Sequence, residues 1–185
     1  KAYSLYPDIP KGTLEAVAYT MTRIHHVDSV SNPESCTGMP RVYGVMGLTL
    51  DGKNYFRNNL LYISQLSGYS VSGIISSPEI NILAFAKAYS VSLNNSGITS
   101  INIEDHVPVL IALSELPDND IQTDFALHSH LYSVLTFFNT LEFQAEYSFP
   151  NYNINLINVF GQENLKVLSS PHVIISEDAI KEKGG

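Results

Sequence analysis

Apolar residues recur at helical spacing in four stretches of this chain, and turn-forming residues border each one. Leu14, Val17, Ala18, Met21 and Ile24 make the first series, entered through Gly12 and Thr13. Leu60, Leu61, Ile63 and Leu66 make the second, which ends at Gly68. Ile82, Phe85, Ala86, Tyr89 and Leu93 make the third, which starts at Pro78 and stops in 94–97. Ile121, Phe125, Leu127, His128, Leu131, Leu135 and Phe138 make the longest, opened by Pro117 and Asp118 and running to about Leu141. A 3.6-residue period places each series on one helix face. The expected fold is mainly α.

The intervals read differently. Residues 1–11, with Tyr3, Tyr6, Pro7 and Pro10, form an extended lead-in. Residues 27–42 are loop, and an irregular or β segment lies near 43–50, flanked by glycines and followed by the turn pair Asp51 and Gly52. Ser70 can cap a short helix to Ile75. Residues 102–113 form a helix interrupted near His106, Val107 and Pro108. Beyond 143 polar and apolar residues alternate over 151–157, which favours extended chain, and 172–176 suits a short strand. The expected division is a lead-in at 1–11, a helical domain at 12–142 and a C-terminal arm or linker at 143–185. Tyr147, Phe149, Tyr152, Leu156 and Phe160 are too apolar for a purely solvated linker.

Composition narrows the function classes. Of 185 residues, 44% are hydrophobic, enough to bury a core. Only 15% are charged, below the usual quarter, with Ser and Asn in their place, which suits a secreted or envelope protein. The net charge of −8 carries no basic stripe for nucleic acid and disfavours an anionic membrane surface. No apolar run is long enough to span a membrane. A single cysteine, Cys36, allows no intrachain disulfide and no multi-cysteine zinc site. The start at Lys1 and the close at Gly184 and Gly185 suit a piece of a longer protein.

Three segments in order carry a resemblance. Pro10 through Ala18 enters the first helix and ends in Ala16-Val17-Ala18. Tyr43-Gly44-Val45-Met46-Gly47-Leu48 follows a loop of roughly twenty residues. Pro78-Glu79-Ile80-Asn81-Ile82 then opens a helix carrying Ala84, Ala86 and Ala88. Over about residues 7–140 the chain resembles the lysozyme-like fold of lytic transglycosylases and related peptidoglycan glycosidases. It is especially similar to the domain that precedes N-acetylmuramoyl-L-alanine amidase domains in bacterial cell-wall hydrolases. The resemblance implies a glycan groove lined by 43–48, and a catalytic glutamate three residues after Ala18, followed by serine.

This chain has Met21 and Thr22 there. Glycoside cleavage needs a protonated carboxyl beside the leaving oxygen, and a thioether cannot supply it. Glu15 lies on nearly the opposite side of the helix, about 240° away at 3.6 residues per turn. Glu34, helped by Asp28, is the alternative acid from the following loop. A groove without an acid can still hold sugar on aromatic faces and polar edges. Tyr43, Gly44, Met46, Tyr19 and Tyr89 are the candidates, and Asn81 reads as a structural hydrogen-bonding residue.

No metal site is expected. His25 and His26 are adjacent on a helix and diverge, and His128 and His130 diverge by about 200° on theirs. No cofactor is implied. The leading expectation is a non-catalytic lysozyme-like domain of a secreted bacterial peptidoglycan hydrolase. It would bind or orient cell-wall glycan or pack on a covalently linked amidase domain. The alternatives are an active glycosidase using Glu34, and a helical interaction module without a glycan site.

Overall fold

A computed structural model describes residues 1–28, 40–53, 55–176 and 178–183. It is mainly helical, with two small antiparallel hairpins among those residues. The helices are α1 (Ala2–Leu5), α2 (Thr13–Thr22), α3 (Asn59–Ser67), α4 (Val71–Ser76), α5 (Pro78–Asn95), α6 (Val107–Leu113), α7 (Ile121–Asn139), α8 (Leu141–Tyr147), α9 (Leu156–Phe160) and α10 (Gln162–Leu168). A 3-10 turn, Ile103–His106, leads into α6. Strands β1 (Arg41–Tyr43) and β2 (Leu48–Leu50) pair with Tyr43 opposite Leu48, and β3 (Val173–Ile175) pairs with β4 (Ile180–Glu182).

Local chemistry accounts for the helix limits. Ser70 accepts the Gly73 N–H, and Ser77 accepts the Ile80 N–H with Pro78 in the first turn of α5. Asp120 and Thr123 form a reciprocal capping box at the start of α7. Pro117 therefore stays outside that helix, in the loop after α6. Helix α3 ends on Gly68 in the left-handed region, as its glycine suggests.

The lead-in is not extended. Its α1 folds over the start of α2, where the Tyr3 hydroxyl accepts the N–H groups of Gly12 (2.9 Å) and Leu14 (3.1 Å) and donates to Glu15. Those N–H groups would otherwise lack partners. The arm carries α8, α9 and α10, with non-helical chain around 150–155 and, where a short strand was expected at 172–176, β3 paired with β4. Asn139 exchanges two side-chain hydrogen bonds with Ile154, and Phe149, Ile154 and Phe160 are buried in the common core. Rings of Phe137, Phe143 and Phe149 stack on one another, so burial overrides the alternating pattern. No helix among the described residues is long and apolar enough to cross a membrane.

Candidate functional site

The end of α2 is a sharp reversal. Arg23 and Ile24 both take left-handed backbone angles, φ +55° and +64°, and the Ile24 N–H reaches back to the Ala18 carbonyl at 3.2 Å. A β-branched residue in that region is strained, and the helix-ending hydrogen bonds hold it there. Arg23 also donates to the Tyr19 and Thr20 carbonyls and lies over the Tyr19 ring, placing a cation at the negative helix end. Helix therefore stops at Thr22, and His25 and His26 lie beyond it rather than on it. Val27 then pairs with Gly44, whose N–H donates to the Val27 carbonyl at 2.7 Å.

This reversal brings the hairpin turn onto α2. The Thr22 hydroxyl donates to the Val45 carbonyl at 2.6 Å. Gly47, at φ +61°, lies so close to Met21 that a Cβ there would stand 2.6 Å from the Met21 Cβ. From below, buried Asn81 accepts the Met46 N–H at 2.8 Å and donates to the Ile74 carbonyl at 3.2 Å. Asn59 holds the second strand, accepting the Thr49 N–H at 2.7 Å and donating to the Leu113 carbonyl at 2.9 Å. The three segments singled out in the sequence thus meet around the turn.

On its other side Met21 borders a recess shared with Met46, Asn59, Ser114, Glu115 and His130. It encloses only about 10 Å³, so a ligand could lie across it but not inside it. Glu115 comes from the loop after α6, and its carbonyl accepts the Arg57 N–H at 2.7 Å. The Arg57 guanidinium is directed elsewhere, to the Ile111 carbonyl at 3.0 Å and to Asp118 at 3.4 Å. Burial raises the Glu115 carboxyl above the usual carboxylate range, and burial lowers His130 to about 4. Burial thus disfavours the charged form of each group.

A larger cavity of about 520 Å³ lies along another face of α2, lined by Tyr3, Leu14, Glu15, Ala18, Met46 and Leu83 among others. Glu15 is engaged there by Tyr3, and Glu79 pairs with Lys1. That cavity is largely apolar, and Met21 is not among its lining residues.

No family model matches the chain. No curated protein matches it. No solved structure matches it.

The structure redistributes the candidate residues. Tyr89 is wholly buried, its hydroxyl paired with His106 Nδ1 at 3.0 Å, so it is core and not a sugar platform. Tyr43, Gly44 and Met46 are buried as well, because the turn rests on Asn81 and Met21. Tyr19 is half-buried between Phe137, Phe143 and the Arg23 guanidinium. Asp28 is exposed. Glu34 and Cys36 lie outside the described residues. No group of three metal-ligating side chains occurs among the described residues.

Glu115 was not among the residues the sequence singled out, and His130 was weighed only with His128 as a metal ligand. A signal exists for the first: Leu113-Ser114-Glu115-Leu116-Pro117 sets a lone carboxyl between apolar residues that pack inward.

Proposed function

We propose that this chain is a lysozyme-like domain that binds or orients cell-wall glycan and does not cleave it through the first-helix acid. The observation that supports this most is the junction of the three segments. Thr22 bonds to Val45, Met21 seats against Gly47, and Asn81 of α5 carries the Met46 N–H. That is the order and the convergence that the resemblance to peptidoglycan glycosidases implies, with a thioether where the acid would stand. In this reading the domain belongs to a secreted bacterial hydrolase, with an N-acetylmuramoyl-L-alanine amidase domain as its covalent neighbour. A lysozyme-like unit would then hold or orient the glycan while the amidase cuts the attached peptide.

A second reading draws on the same contact. Met21 closes directly on Gly47, and Tyr43 and Tyr89 are buried, which suits a helical interaction module with no glycan site.

Pull-down on purified peptidoglycan, with assay of released soluble fragments, separates them. The first reading expects binding without release, and any activity only after Met21→Glu. Release by the unaltered chain would overturn it in favour of a displaced acid. Neither binding nor release would support the interaction module.

A further inference from the structure

Helices α1, α2, α5 and α8 and the hairpin turn wall the cavity of about 520 Å³. Leu14, Ala18, Val45, Met46, Ile82 and Leu83 give it an apolar lining. Its volume falls within the roughly 300–1,000 Å³ of small-molecule sites. It is more than three times the roughly 150 Å³ that accommodates a benzene ring. Water held against such walls finds few hydrogen-bond partners, so an apolar group that displaces it gains. The charged groups of the lining are Lys1, Glu15 and Glu79. Lys1 and Glu79 are exposed and pair with each other, so they balance. Half-buried Glu15 differs: Oε2 accepts the Tyr3 hydroxyl, a neutral partner. Among the described residues, no cation pairs with Glu15, and Oε1 has no hydrogen-bond partner. The cavity therefore combines apolar walls with one carboxylate that nothing neutralises.

We propose that this cavity binds a small amphiphile that carries an apolar chain and a primary ammonium head. The chain lies between α2 and α5, against Leu14, Ala18, Ile82 and Leu83, and the ammonium donates to Glu15 Oε1. A charge-assisted hydrogen bond of this kind is stronger than a neutral one, and the apolar surroundings strengthen it further. The Tyr3 hydroxyl holds the carboxylate from its other oxygen, so the acceptor is already oriented before a ligand arrives. The inference stands apart from the glycan reading. A sugar has hydroxyls on every edge and would strand them against these walls. A carboxylate head would meet Glu15 as a like charge, and its natural partner, Lys1, is already taken by Glu79.

The test is calorimetric binding of octylammonium, octanol and octanoate to the whole chain at neutral pH. Octylammonium should bind about tenfold more tightly than octanol, the size of one charge-assisted hydrogen bond, and octanoate more weakly than either. Glu15→Gln keeps an amide oxygen for the Tyr3 hydroxyl. It should bring octylammonium down to the affinity of octanol, about tenfold, and leave octanol unchanged. Ile82→Trp, which adds bulk at a half-buried wall, should weaken octylammonium and octanol together. Melting curves establish that both variants are folded. A chain of net charge −8 also attracts any cation in a general way. Glu163→Gln, on exposed α10, removes the same charge elsewhere and should leave the preference intact. Equal loss in Glu163→Gln and Glu15→Gln would overturn the proposal, because the attraction would then be general. Tightest binding by octanoate would overturn it as well, since Lys1 would be the head-group partner. Binding that Ile82→Trp leaves unchanged would place the ligand elsewhere, and no binding of any octyl compound would mean that the cavity is not a ligand site.

Discussion

Asn81 Oδ1 accepts the backbone N–H of Met46 at 2.8 Å, so the second turn of α5 carries the tip of a hairpin 35 residues earlier in the chain. The same amide donates to the Ile74 carbonyl, and the side chain is fully buried. Asn81→Ala would strand the Met46 N–H and the Ile74 carbonyl away from water. A loss of about 1–3 kcal/mol for each stranded group is expected. Urea unfolding of the variant measures it, and a change below about 0.5 kcal/mol would mean that water replaces the amide.

Gly44 tests the closeness of that packing. Both Gly44 (φ +72°) and Gly97 (φ +65°) sit in the left-handed region, where an alanine costs about 1–2 kcal/mol. A Cβ at Gly97 meets nothing within 4 Å, whereas one at Gly44 would stand 1.9 Å from Asn81 Nδ2. Gly97→Ala should therefore cost the backbone strain alone, and Gly44→Ala clearly more. Equal melting temperatures for the two would contradict the seat of Asn81 under the turn.

The Tyr3 hydroxyl ties α1 to α2 through two accepted N–H groups and one donated bond to Glu15. Tyr3→Phe removes all three while keeping the ring. A loss of about 1–3 kcal/mol follows from the stranded donors. Hydrogen exchange at Gly12 and Leu14 should quicken more than exchange in α7. Uniform acceleration across the chain would instead mean that the effect is global.

Stability should respond to pH through two buried groups with opposite signs. The folded chain keeps a proton on Glu115 above the ordinary value of 4.5, so its contribution is present in acid and lost as pH rises through the raised folded value. His130 titrates near 4 when folded and 6.5 ordinarily, so its contribution is present at neutral pH. It is lost as pH falls from 6.5 toward 4, by on the order of 3 kcal/mol. In urea titrations at several pH values, Glu115→Gln should be more stable than the parent at neutral pH, with the gap closing in acid. His130→Gln should flatten the acid limb. No pH-dependent difference for either variant would place that group in water.

The long helices were legible because they obey one rule: Pro78 with Ser77, Gly68, and the series from Ile121 to Phe138 mark their own helices. The arm was misread because 151–157 alternates like extended chain while its neighbours are recruited by the Phe137 and Phe138 rings, a tertiary effect with no local signature. Asn81 was legible as a structural residue, since a buried amide early in a helix must bond to something. The burial of two aromatic candidates was not legible, because sequence cannot tell a tyrosine at the surface from one beneath it. Tyr43 and Tyr89 are both buried. Glu115 was hidden because the loop after α6 meets α2 only in three dimensions.

Phe149 rests against Gly12 so closely that a Cβ there would fall 2.7 Å from its ring, and the Tyr152 hydroxyl donates to the Lys11 carbonyl at 3.0 Å. A pull along the 148–155 segment would therefore be felt first at the entrance of α2, the helix that carries Met21. This segment behaves as a latch on the domain and not as a tether from it. A border drawn at residue 142 would cut through shared core, and a mechanical load on the arm would be a load on the seat of Met21 against the hairpin turn.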